Sequence, residues 1–190
     1  SDGLAEHNAW VTKGAEALAL RTDAYSRLAR ALAPLPLPFS DDYSDPAWIP
    51  VISVGRADVD RLDAAAEHAP ESRPILAFRL LGCLAIEDCD ASAAAESLAR
   101  VDPGNALALI PRLRTALQSE DEAAVDAALE ALGPQPDFRT YSNAAAVIAV
   151  DAFISATDAG KSRRNAELEA ITWLSGVIGR QSVYLFEAFT

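Results

Sequence analysis

The sequence predicts an all-α chain, a right-handed superhelix of antiparallel helix pairs. Three observations predict it. Alanine fills 40 of 190 positions, and Ala with Leu favours helix. No segment shows the sustained alternation of a half-buried strand. Heavily apolar helical segments alternate with amphipathic ones at a period of roughly 31–34 residues, the length of a two-helix repeat. Helices apolar on two faces are expected inside, touching both neighbours, and amphipathic ones outside.

The elements follow in order. Residues 4–20 read as a helix with Leu4, Trp10, Ala15 and Leu18 as core candidates. Thr22-Asp23 is an N-cap signal for a second helix, Ala24 to Leu32. Residues 34–50 hold five prolines in seventeen positions, which excludes a regular helix. They also carry Leu35, Leu37, Phe39, Tyr43, Trp48 and Ile49, too apolar for a free linker. The segment reads as an extended strap. Residues 57–69 place Val59, Leu62 and Ala66 on one face. Pro74 opens the next helix near N1, where its missing N–H costs nothing. That helix, to about Ile86, is apolar almost all round. Residues 90–101 are amphipathic. Residues 105–118 are Leu-rich, with a kink expected at Pro111. Residues 121–132 are amphipathic, 138–156 long and apolar, and 163–179 form a last helix that Val183–Phe189 either continues or follows as a packed tail. Seven or eight helices are expected, in a single domain over 1–190: an N-terminal pair (1–33), the strap (34–50) and helical repeats (57–190). The expected inner core includes Leu76, Leu80, Leu84, Leu98, Leu113, Leu129, Ile148 and Trp173.

The junction Ala91-x6-Leu98-x2-Val101-Asp102-Pro103-Gly104-Asn105-Ala106 resembles that of a tetratricopeptide repeat, across about residues 71–135. Leu98 stands where the family packs Ala, the Trp and Gly of its first helix are missing, and the following repeat ends without the motif. The segment Cys83 to Asn105 is also similar to uncharacterised, Ala-rich, exported helical-repeat proteins of Xanthomonas-type bacteria. That resemblance implies an envelope location and brings no activity.

The net charge of −12 excludes duplex nucleic acid and anionic lipid as main partners, since phosphate binding needs a basic face. The halves split at residue 95 carry −7 and −5, so the average hides no basic half. No apolar stretch approaches the ~18 residues of a membrane span. The sequence has no Met, even at position 1. It is therefore expected to be a processed or trimmed product, its export signal or lipid anchor removed. Cys83 and Cys89 are separated by five residues, not the two of a redox motif, and have no nearby His for zinc. They read as a disulfide stapling a helix turn, hence a periplasmic or secreted protein. Two unrelated buried thiols are the alternative.

No chemistry stands out. There is no nucleophile elbow. His7 and His68 lie in different segments, and His68 reads as a solvated helix end. Gly160-Lys161-Ser162 lacks the first Gly of a phosphate loop, with Ser155 in its place. Asp41, Asp42 and Asp45 lack calcium-loop spacing. No catalytic residue, metal or cofactor is expected. Glu87-Asp88-Cys89-Asp90 and Glu120-Asp121-Glu122 sit at predicted helix starts, where they cap and favour the dipole. They are alternatively an acidic rim for a basic partner.

The strap has two readings. Its apolar residues pin it along the helices, or its rigid aromatics Tyr43 and Trp48 anchor a partner while Asp41, Asp42 and Asp45 steer it. The expected function is non-enzymatic protein binding in the bacterial envelope. The expected partner is another, basic protein, with an antibacterial toxin the sharpest candidate and immunity the role. A hydrolase using acidic residues on a helical scaffold and a passive envelope scaffold are the alternatives.

Overall fold

The computed structural model describes residues 2–33, 53–135, 137–157 and 163–189. Among them are nine α-helices, more than the seven or eight expected, one short 3-10 turn and no β-strand. The helices are α1 (Asp2–Ala19), α2 (Ala24–Ala31), α3 (Arg56–His68), α4 (Arg73–Ala85) and α5 (Ala91–Val101). The 3-10 turn Ala106–Leu109 leads into α6 (Ile110–Gln118), α7 (Glu122–Leu132), α8 (Ser142–Thr157) and α9 (Arg163–Phe189).

Local chemistry sets the boundaries. Asp23 caps α2 by accepting from the Ser26 N–H at 2.9 Å. Asp90 caps α5 through the Ala93 N–H at 2.9 Å, and Asp121 caps α7 through the Ala124 N–H at 3.1 Å. Pro111 does not kink a continuous helix. The 3-10 turn ends just before it, and Pro111 lies in the first turn of α6, where proline is tolerated. The C-terminal residues continue α9 as helix to Phe189.

The core centres on α4. Nine of its residues are buried, among them Ile75, Leu76, Phe78, Leu80, Leu81 and Leu84, and it packs against α3, α5, α8 and α9. Phe78 meets Tyr184 of α9 edge-on at 5.6 Å. Burial, then the charge of Asp58, pushes the Tyr184 phenol far above its ordinary pKa, and its hydroxyl donates to the Ala31 carbonyl at 3.2 Å. A second aromatic cluster joins α1, α8 and α9. Phe153 stacks on Trp173 at 4.1 Å, and Trp10 meets both edge-on. Gly14 lets α1 approach them: a Cβ there would lie 2.5 Å from Phe153 Cε2 and 2.8 Å from Trp173 Cζ3. Opposite α3, the buried Arg180 bonds Asp58 at 2.5 Å and the Ser53 carbonyl at 2.9 Å.

An open stack of helix pairs confines contacts to sequence neighbours. From α3 to α7 the helices do pack in succession. The N-terminal pair packs on α8 as well as, through α2, on α3, and α9 packs on α4. Helices distant in sequence thus enclose the aromatic core. Of the expected core, Leu76, Leu80, Leu84, Leu98 and Trp173 are buried, while Leu113 and Ile148 are half-buried. Leu129 is 50% exposed. Its position on the apolar side of an amphipathic helix predicted burial, but α8 turns away to pack on α2 and α9, leaving α7 against α6 and the 3-10 turn.

Candidate protein-binding face

The strap residues nominated as anchor and steering groups, Asp41, Asp42, Tyr43, Asp45 and Trp48, lie outside the described residues. Their flanks are described. Ala33 and Val54 are buried. The Ser53 carbonyl accepts from Arg180, and the Val54 N–H donates to Glu187 at 2.6 Å. Cys83 and Cys89 are disulfide-bonded, with Cα atoms 4.9 Å apart, inside the usual range for a bridge. The bond closes the turn from α4 to α5, and Arg114 of α6 donates to the Leu84 carbonyl beside it.

The Asp-Pro-Gly-Asn turn is a buried polar joint. Asp102 and Asn105 are 4% and 1% exposed. Asp102 accepts from Arg139 at 3.0 Å and from the Tyr141 hydroxyl. Asn105 accepts from the Leu107 and Arg139 N–H groups at 3.1 and 3.0 Å, and its amide donates to the Arg139 carbonyl at 2.8 Å. The Ala106 N–H reaches the Asp137 carbonyl at 2.8 Å. This turn therefore grips the chain between α7 and α8. Burial first, then the hydrogen bond to Asp102, raises the Tyr141 phenol pKa. Every strong acceptor in the joint is occupied by a structural donor, which suits a clamp better than a reactive site.

The α6–α7 hairpin presents the contrast. Residues 115–138 hold six acidic side chains and no Lys or Arg. Three of them, Glu122, Asp126 and Glu130, are exposed and repeat every fourth residue along α7. At about 100° per residue they share a sector about 80° wide, and Leu129 lies about 20° from Glu122. Leu129 is 50% exposed on this face, and Leu117 of α6 is 57% exposed. Asp121 caps the helix, and Glu122 sits favourably at its start. Glu130 sits in the last turn with no basic residue there, the wrong end for a negative charge. Like charges four residues apart also repel, by about 0.2–0.5 kcal/mol per pair. The row thus works against the helix that carries it. Sequence reasoning picked out Glu120-Asp121-Glu122 and missed Asp126 and Glu130. The four-residue spacing and the absence of any basic residue were the available signals.

His68 is exposed, with Nδ1 2.8 Å from the Ala64 carbonyl at the end of α3. Among the described residues no group of His, Cys, Asp and Glu could hold a metal ion, and no helix is long and apolar enough to cross a membrane. No family model matches the chain, and neither any curated protein nor any solved structure matches it.

Proposed function

We propose that this is a non-enzymatic protein-binding protein of an oxidising extracytoplasmic compartment that holds a basic partner on the acidic face of α7. In this reading the α3–α7 pairs are a tetratricopeptide-like stack, and the Asp102–Asn105 junction is its inter-repeat joint. The observation that carries the reading is the row Glu122, Asp126, Glu130, which costs its own helix stability and has exposed Leu129 on the same face. A basic partner turns that repulsion into attraction. The carboxylates steer encounter, and Leu129 supplies apolar area once water is expelled. The disulfide supports export. Toxins that attack anionic envelope polymers are often basic around the cleft, and they are the partner class this surface suits best.

The test has two arms. Cells lacking the gene are grown among toxin-delivering sisters and complemented with the wild-type chain or with E122Q/D126N/E130Q. Rescue by the wild-type chain but not by the triple variant is expected. Unchanged survival of the deletion strain removes the toxin role. Separately, a partner captured by the wild-type chain should associate more slowly with the triple variant, with a flatter salt dependence. Equal association rates for the two chains would remove the α7 face.

A further inference from the structure

A second feature runs against the acidity of the chain. A cleft of about 320 Å³ opens between α1, α2, α3 and α9, at the lower end of small-ligand sites. Its apolar wall is Val11, Ala15 and Ala19 of α1 with Ala31 and Ala33 at the end of α2. Among the described residues its charged lining is Arg30, Arg61 and Arg180 against Glu16 and Asp58. Among those residues three cations face two anions, a local charge of +1 in a chain of −12.

The anions are poorly placed to neutralise the set. Asp58 is shared: one oxygen takes Arg61 at 2.7 Å, the other Arg180 at 2.5 Å and the Gly55 N–H at 3.1 Å. Glu16 is exposed. Glu187, farther along α9, is engaged by the Val54 N–H. Arg30 makes no ion pair with a carboxylate among the described residues. Arg180 is 4% exposed, and its Nε has no hydrogen-bond partner. Besides the shared Asp58, the Ser53 carbonyl and the face of the Tyr184 ring, 5.5 Å away, meet this cation, neither carrying a full negative charge.

We propose that this cleft binds a short-chain aliphatic monocarboxylate. The carboxylate sits between Arg30 and Arg61, whose planar guanidinium groups suit its two oxygens. A single negative charge balances the lining, three against three. The aliphatic part lies on the alanine and valine wall, whose described residues offer no aromatic surface to a ring. The site shares no helix with the α7 face, so it stands or falls independently of the proposed partner.

The experiment is calorimetric titration of the full oxidised chain with hexanoate, hexanol and inorganic phosphate, supported by thermal unfolding. Saturable hexanoate binding that raises the melting temperature is expected, with hexanol and phosphate much weaker. Arg30→Gln should weaken hexanoate about tenfold while the unliganded chain stays folded. Ala15→Leu, which fills the wall, should abolish binding. No saturable hexanoate binding overturns the proposal, as does equal binding of hexanol, which would mean an apolar hole alone. Equal binding of phosphate would mean an anion site without an aliphatic wall, and unchanged affinity in Arg30→Gln would place the anion elsewhere. The wild-type titrations decide the case even where a variant folds poorly.

Discussion

The α1–α4, α8 and α9 bundle and the α6–α7 hairpin are held by different physics. The bundle buries Trp173, Tyr184, Phe78 and Phe153 among leucines. The hairpin buries Pro111, Ala116 and Ala128, side chains that remove little apolar area from water. At about 0.8 kcal/mol per buried methylene, a cluster of alanines cannot match a stacked tryptophan. The hairpin is instead fastened from outside, by α5, by the Asp102–Asn105 joint and by Arg114 on the Leu84 carbonyl. The proposed binding face therefore sits on the part with less packing beneath it. Regions that engage partners are commonly drawn from this low-stability end of a fold.

The largest expected effect breaks the bundle. Trp173→Ala removes a fully buried ring stacked on Phe153 and should cost about 3–5 kcal/mol in urea unfolding. Leu129→Ala, on the exposed side of α7, should stay within about 0.5 kcal/mol. If the two cost the same, the division between the regions is wrong.

The next effect separates joint from bundle. Asp102→Ala strips the acceptor from Arg139 and Tyr141 and should cost about 2 kcal/mol. Faster amide exchange should be confined to the 3-10 turn, α6, α7 and residues 137–141, with α4 unchanged. Spectrophotometric titration of the variant should show the Tyr141 phenol moving back towards its ordinary value, because Asp102 contributes to its rise. The sign of the pH dependence follows from the raised Tyr141 and Tyr184 values. Their contribution is fully present below the unfolded value of about 10. It is lost as pH rises from there through the folded values. Urea midpoints at pH 9 and pH 11 check it, the lower one expected at pH 11.

The helices and their order were legible because each segment carries its own signal. Period, Asp caps and the Pro74 start are local facts, and the structure keeps them within a residue or two for most helices. What no segment carries is its neighbour. Leu129 looked like core because periodicity shows which face of a helix is apolar, not whether another helix covers it. The Arg180–Asp58 pair joins residues 122 positions apart, and neither has a sequence context that names the other. The closure of α2 on α8 and of α4 on α9 was invisible for the same reason. At the candidate site the acidic start of α7 was legible as composition. The cost of Glu130 became apparent once the helix end was fixed at Leu132.

A smaller effect lies at the boundary between the two regions. The disulfide closes a loop of a few residues at the exit from α4, so its chain-entropy contribution is about 2 kcal/mol. Cys83 is buried against the bundle core, while Cys89 is half-buried. Reduction should therefore lower the urea midpoint modestly and loosen the α4–α5 turn, without exposing the Trp10–Phe153–Trp173 cluster. Tryptophan fluorescence that stays native after dithiothreitol treatment is the expected reading. A shift to the unfolded spectrum would mean that the bundle depends on the staple.

The smallest effect runs opposite in sign to the others. Asp126→Asn with Glu130→Gln removes two like-charge pairs from α7 and the unfavourable charge from its last turn, while leaving Asp121 as cap and Glu122 at the favourable end. The sum is a gain of about 0.7–2 kcal/mol at low ionic strength. It should shrink towards zero in 1 M salt, where screening acts within about 3 Å. The cost of Trp173→Ala, which involves no charge, should hardly change with salt. Hydrogen exchange in α7 is the measurement of choice, because a hairpin that opens on its own hides a local gain from a global melt. Slower exchange in the double variant at low salt, together with slower association with a basic partner, would show a surface kept acidic at the expense of its own helix. Faster exchange would mean that Asp126 and Glu130 stabilise the hairpin and that the row is structural.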